Sequence, residues 1–510
     1  MSPSSRPRRL RRSFGLTVAV ALSTASLATF SAPAAQSAGA KTSALRIAAL
    51  GADSDTLDVR TATGGATYLT MFHLYDSLVV LKGDKAVNSL ATSITPNADA
   101  TVWTVKLQPR ATFHDGKPVT GADVLDSFSR IADPKTSPNF SGFFTDFDFA
   151  KSKVIDAKTV QFALKRSRGD LVETTFTQVS FVFPAKSDFS KGIGSGPYKL
   201  ASFEKGKVTK LTANTKYWGG VPKIKNLEIR PIADAAARLN ALKAGQVDYA
   251  SGLPPSAVAT ERSNTKISIL SGGEANSSAL IFAMNVKQKP FDDPRVVEAF
   301  KLVADREALN KVVLFGEGVV GNDVFGQGLP GFNTALPARK RDVAKAKQLL
   351  EAAGVKEVTL RAADVTPGIV AASELFAQQA AEAGVKVTID KADPSTYFAD
   401  FGKVLSTPFQ GFYFINRPAA ALIGSYTGST SFFNVTSFGT PAYDAALAAA
   451  QETPDAKLRA ERFNGLQKTL QDQDGLIVWG YAPQLDASVP GLSGVELSQS
   501  IPLFAKASRK

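Results

Sequence analysis

The sequence predicts an α/β protein of two or three domains, and three observations carry that reading. The chain has 510 residues, and one hydrophobic core rarely grows past about 300. Its first half is rich in short segments with the period of 2 of half-buried strands. Its last third alternates strands and helices, the order of a mostly parallel sheet. Hydrophobic content of 44% and charged content of 21% are globular values. There is no cysteine, so packed cores alone must hold the fold.

The elements follow in order. Leu45 to Leu50 reads as a strand leading into a loop. Leu69, Phe72, Leu74 and Leu78 then recur with helix-like spacing over 66–80. Trp103, Val105 and Leu107 alternate with Thr104 and Lys106, a strand. A tight turn is expected at Asp115-Gly116, and a helix from Thr120, with Asp123 three residues on as in a capping box. Val154 to Leu164 reads as a hairpin turning at 156–158. Strands are expected near Leu200, Lys207 to Leu211, and Leu227 to Pro231. Helices start after Asp234, Asp293 and Asp342, each an N-cap. Pro294 fills a first helical position, and Gly245, Gly354 and Gly384 close helices. Val358 to Leu360, a helix from Ile369, and Val385 to Ile389 form a strand–helix–strand unit. Helices at 440–451 and 455–473 complete the series, and no repeat of fixed period appears.

Residues 1–40 read as an export signal. Arg6, Arg8, Arg9, Arg11 and Arg12 precede an apolar stretch from Phe14 to Phe30, and Ala38-Gly39-Ala40 fits an A-x-A cleavage site. Arg11-Arg12-Ser13-Phe14 resembles a twin-arginine (Tat) signal, and an ordinary Sec signal remains the other reading. Five of the thirteen net positive charges lie there, which leaves +8 on the remainder. Those charges are scattered, whereas nucleic-acid binding requires a clustered stripe, so no nucleic-acid partner is expected.

Several segments carry a family resemblance. TLDVRTATGG at 56–65, FHDGKPVTGADVLDSFSR at 113–130 and GSGPYKL at 194–200 with TANTKYWGG at 212–220 come first. RLNALKAGQVDYASGLPP at 238–255, MNVKQKPFDDPRVVEAFKLVADREAL at 284–309 and RDVAKAKQLLEAAGV at 341–355 follow. Together, in this order, the chain resembles the family 5 extracellular solute-binding proteins, the peptide, nickel and oligopeptide receptors of ABC importers. The resemblance implies a two-lobed periplasmic-binding-protein type II fold with an additional β-rich subdomain on lobe one. It implies lobe one from 41–74, 186–284 and 478–510, the subdomain from 75–185, and lobe two from 285–477. Ile477 to Leu503 are then expected to complete lobe one. It also implies a small-molecule or peptide ligand and a permease partner at the membrane. An exported, soluble monomer is expected, periplasmic or extracellular, with no cysteine for a lipoprotein tether. A sensor or scavenger of the same fold without a transporter is the alternative, and a secreted hydrolase a remote one.

The residue inventory argues against catalysis. There are two histidines, His73 and His114, and no H-x-x-x-H or C-x-x-C spacing for a metal. Gly194-Ser195-Gly196 lacks the glycine two residues before the serine that a nucleophile elbow needs, since Ile193 stands there. No cofactor, metal or catalytic residue is expected. Trp103, Phe113 and Phe128 are assigned to packing, and His114 and Asp115 to the turn.

By resemblance, the ligand is met by the first-strand loop, here Thr61, Thr63 and Gly64, and by lobe-two residues of 409–426. Tyr413, Asn416 and Arg417 are the candidates there. Dipeptide and oligopeptide receptors usually carry an aspartate near Asn416 or Arg417 for the ligand's ammonium, and this sequence does not. Arg417 instead offers a fork of donors suited to a carboxylate or phosphate, so a ligand with an anionic or neutral polar end is expected. Phe409, Phe412, Tyr413 and Phe414 form either a stacking wall or a buried strand. Nickel is disfavoured because no histidine lies in this segment.

Overall fold

A computed structural model describes residues 44–510, apart from Ala52, Thr63, Asn139, Ser395, Ala399 and Phe432. The expected export segment and Thr63 therefore lie outside the described residues. Two sheets organise the chain. The first has seven strands in the order Ser268–Ser271, Leu485–Ser488, Tyr249–Ala250, Ala44–Ala49, Asn226–Pro231, Val208–Ala213 and Tyr198–Glu204. The second has six, in the order Val319–Val320, Leu476–Pro483, Ser277–Met284, Phe409–Ile415, Glu357–Ala362 and Lys386–Lys391. Glu357–Ala362 and Lys386–Lys391 run parallel, as the strand–helix–strand reading requires.

The second sheet is apolar on both faces. Leu280, Phe282 and Trp479 pack on one side, and Ile281, Phe412, Phe414 and Tyr481 on the other. This corrects the expected lobe boundaries. Ser277–Met284 was placed in lobe one by the 186–284 span, yet it is an interior strand of the second sheet. Leu476–Pro483 is another, so lobe one is rejoined only at Leu485 and not near 478. Both strands are buried along nearly their whole length, which only an interior position with helices on each face provides.

The third sheet is Ala91–Pro96, Val102–Leu107, Thr159–Leu164 and Phe147–Asp156. Its core is continuous with that of the first sheet: Trp103, Phe128 and Phe162 belong to the same buried cluster as Ile47 and Leu227. Burying a phenylalanine contributes about 1.5–3 kcal/mol, so this shared core joins the third sheet to the first. The capping box forms as read: Thr120 Oγ accepts from Asp123 N–H, and Asp123 Oδ2 accepts from Thr120 N–H at 2.8 Å. The helix expected over 66–80 stops at Leu74. Leu78 is buried from a different element, where its N–H bonds Ser180 O at 3.1 Å beside the strand Val79–Lys82.

The signature motifs meet one another through buried polar groups. His114 Nδ1 accepts from Gly194 N–H at 3.1 Å and Nε2 donates to Gly196 O at 3.2 Å. Asp76 accepts from Tyr217 Oη at 2.9 Å and Trp218 Nε1 at 2.8 Å, and burial raises its pKa to about 6. His73 Nδ1 donates to Leu69 O at 2.7 Å and Nε2 accepts from Phe504 N–H at 3.0 Å, tying the C-terminal segment to lobe one.

Burial holds both imidazoles down at about 4, so they are neutral in the fold. Unfolded histidine charges near 6.5. Their contribution is therefore complete above pH 6.5 and fades as pH falls towards 4. A His114→Gln variant keeps a donor and an acceptor but does not titrate. Between pH 7 and 4.5, urea melts should show it losing less stability than the parent, by about 2 kcal/mol; equal losses contradict this.

Candidate functional site

The chain crosses between the two sheets twice, at 272–276 and at Gln484. The crossings are bonded together: Gly272 N–H donates to Gln484 O at 2.8 Å, and Gln484 N–H to Asn276 O at 2.7 Å. The cleft opens beside them. Its lobe-two wall is the end of Phe409–Ile415, then Asn416 and Arg417, then the helix Ala419–Tyr426. Phe412 and Phe414 pack into one core of the second sheet and Phe409 into the other, so these three form no stacking wall. Tyr413 alternates to the opposite face from Phe412 and Phe414 and stays half-buried.

Arg417 reaches across the cleft. Its Nη1 donates to Gln178 Oε1, and to Gln499 Oε1 at 3.4 Å. Both amides are oriented from behind by Thr177. Gln178 Nε2 donates to Thr177 Oγ1 at 2.8 Å, and Gln499 Nε2 to Thr177 O at 2.7 Å. Gln499 and Ser500 form the two-residue loop of the hairpin Glu496–Ser498/Ile501–Leu503, with φ of 52° and 65°. Positive φ at both positions suits Asn-Gly, and non-glycine residues there store strain. Ser500 N–H bonds Asn276 Oδ1 at 3.0 Å, which anchors the strained tip to a crossing segment.

No carboxylate pairs with Arg417 among the described residues. Two phenols, Tyr68 and Tyr426, lie within electrostatic reach of Arg417, and each also feels Tyr413. Burial raises all three phenol pKa values, so they stand as neutral donors. Tyr68 Oη donates to Ala62 O at 3.3 Å, which brings the first-strand loop to the site. Gly64 caps the helix Gly65–Leu74 with φ of 79°, a conformation costly for other residues. Thr61 ends a short turn and is exposed, and neither it nor Gly64 bonds a lobe-two side chain among the described residues. Asn416 has a framework role: its Nδ2 donates to Glu274 O at 3.1 Å and Gln327 O at 2.7 Å. Its Oδ1 is buried and unbonded.

Gln178, Gln499, Tyr68 and Tyr426 were missed in the sequence. Gln178 follows a π-turn, Val172–Phe176, which has no compositional signature. Tyr426 was visible only as the end of the quoted 409–426 segment.

Two cavities lie elsewhere in the described residues, and none of these groups lines either. One of about 700 Å³ lies between 138–175 of the β-rich region and 421–452 of lobe two. One of about 300 Å³ lies inside lobe one, where Arg60 and Arg130 both face the Phe189 ring, at 4.7 and 4.2 Å. Those arginines are held by Asp58 and Asp126, so this second cavity offers no free charge from them. The larger cavity is bordered by direct contacts between the β-rich region and lobe two. Gly169 N–H donates to Gln451 O at 2.7 Å, Ser167 Oγ to Glu452 O at 2.8 Å, and Arg166 Nη2 to Gln451 Oε1 at 2.9 Å. Among the described residues, no group of three His, Cys, Asp or Glu is placed to hold a metal. No described helix is long and apolar enough to cross a membrane.

Two α/β lobes on paired crossings, with polar groups meeting in the cleft between them, define a solute-binding protein of the class that serves ABC importers. The chain belongs to the bacterial extracellular solute-binding proteins, family 5, whose sequence pattern it matches over residues 85–431. It is 27% identical to the glutathione-binding protein GsiB of Pectobacterium atrosepticum, over 86% of this chain and 87% of that one. The ABC transporter substrate-binding protein CtaP of Listeria monocytogenes superposes with a TM-score of 0.79 at 22% identity, covering 91% of this chain and 99% of that one. DppA of Helicobacter pylori, in complex with peptide STSA, superposes with a TM-score of 0.75 at 20% identity, covering 91% and 98%.

Asn416→Ala should remove one hydrogen-bond donor from each of the part-buried carbonyls of Glu274 and Gln327. Urea denaturation is expected to show a loss of about 1–3 kcal/mol, with an unchanged m-value. An unchanged midpoint contradicts the framework role.

Proposed function

We propose that this chain captures a small peptide-like solute by closing its lobes on it, and delivers it to an ABC permease at the membrane. The observation that carries the reading is Arg417, a half-buried guanidinium in the cleft whose partners are two amide oxygens. A cation held by neutral dipoles keeps its charge for a ligand. The planar fork suits a carboxylate, which it binds through two parallel hydrogen bonds. The Tyr413 and Tyr426 hydroxyls supply neutral donors to the same end. Tyr413 and Arg417 are the proposed ligand contacts of lobe two, and Thr61, Thr63 and Gly64 those of lobe one. Asn416 holds the frame and offers one free acceptor. The names of GsiB and of the DppA complex support a peptide-like solute.

Nickel is not proposed, because both histidines are hydrogen-bonded within lobe one. Nor is catalysis proposed. The lobes divide at the paired crossings, with the third sheet as a subdomain of lobe one. The protein is read as an exported monomer, by the Tat or Sec route, without a lipid tether.

Arg417→Ala should raise the dissociation constant of a carboxylate-bearing peptide by tenfold or more, about 1.4 kcal/mol, in calorimetric titration. An unchanged constant overturns the reading.

A further inference from the structure

Arg417 spends one nitrogen of its guanidinium on the protein. Nη1 donates to Gln178 Oε1 and Gln499 Oε1, while Nε and Nη2 make no hydrogen bond among the described residues. Each amide is held from behind so that only its oxygen faces Arg417. A backbone carbonyl accepts and never donates, so Thr177 O takes the Gln499 nitrogen, at 2.7 Å, and leaves the oxygen for the cleft. Thr177 Oγ1 gives its one proton to Glu173 O at 2.8 Å. It is therefore an acceptor for Gln178 Nε2, also at 2.8 Å. Every donor in this chain points away from the cleft.

The local backbone creates the arrangement. Val172–Phe176 is a π-turn, and Thr177 N–H bonds Val172 O at 3.1 Å, five residues back. An α-helical turn would give Thr177 N–H to Glu173 O. The wider turn leaves that carbonyl to the Thr177 hydroxyl, and turns of this kind recur at functional sites. Thr177 and Gln178 are both buried. Gln499 comes from a separate element, the hairpin tip that Ser500 N–H ties to Asn276. Two distant parts of lobe one thus converge on Thr177 and, through it, on one nitrogen of lobe two.

From this we infer that Thr177 is a positioning residue for the solute's anionic group: through Gln178 and Gln499 it holds Arg417 by Nη1 and leaves the Nε–Nη2 edge for a carboxylate. The inference rests on the carboxylate reading of Arg417 and adds the residues that orient it. That edge carries two parallel N–H donors, which match the two oxygens of a carboxylate. Neutral amide oxygens fix the guanidinium without cancelling its charge. The ordering is supplied by the protein as the lobes close, through contacts that involve no solute atom, so it is not charged against binding.

The test is native mass spectrometry of the full chain with a randomised tripeptide library, free and C-amidated. The parent should retain the free form over the amidated form by about tenfold or more. Thr177→Val keeps the shape but removes the hydroxyl, and should lower that preference about two- to tenfold. Thr177→Ser should restore it. Gln499→Asn keeps an amide and suits the φ of 52°, but is too short for Arg417, and should lower the preference in the same way. It decides the outcome where Thr177→Val does not fold. If these two variants keep the parental preference, or serine does not restore it, the Thr177 assignment falls. Loss of the preference in Arg417→Ala then leaves the carboxylate reading standing. If Arg417→Ala keeps the preference, or no library is retained, both fall.

Discussion

The structure depends on two short crossings bonded to each other. Gly272 and Asn276 on one strand of the neck exchange backbone hydrogen bonds with Gln484 on the other. A pair of adjacent crossings leaves one soft direction, a bend of the lobes about the neck, and resists the rest. Two of the polar groups near Arg417 are tied to this neck. Asn276 reaches from a crossing to the strained loop that presents Gln499. Asn416 ties the end of a lobe-two strand to Glu274, in the same crossing.

Closure is defined at two separate places. Near the neck, Arg417 meets the amides of Gln178 and Gln499. Further out, Gly169 lies against Gln451 and Thr453, with no room for a side chain: a Cβ on Gly169 would sit 1.9 Å from Thr453 O. Neutral amides opposite a guanidinium are weak partners compared with a carboxylate. That difference lets a ligand compete for Arg417 in the closed form, where a salt bridge across the cleft would exclude it. The ligand then contributes the differential affinity that shifts the lobes towards closure.

Much of the fold was legible because its signals are local. Thr120, Asp234, Asp293 and Asp342 all cap the helices that their spacing marks. The alternation of Phe412, Tyr413 and Phe414 sorts them correctly to two sides of a sheet. The lobe boundaries were less legible. Ser277–Met284 and Leu476–Pro483 pair with each other across almost 200 positions, and nothing in either segment names its partner. The site divides in the same way. Arg417 drew attention as a local departure, a base where an acid is usual. Its partner Gln178 is 239 positions away, and Gln499 takes positive φ without being Gly, Asn or Asp. Contacts set by distant closure leave no periodic trace in a sequence.

The central claim is that two lobes bend about the bonded crossings to enclose a solute. Small-angle scattering with and without the peptide that co-purifies or is retained tests it most directly. The account predicts a smaller radius of gyration on binding in the parent protein, and an unreduced radius in Gly169→Ala, whose added methyl group meets the Thr453 carbonyl. A radius that stays the same in the parent, with ligand bound, would contradict it.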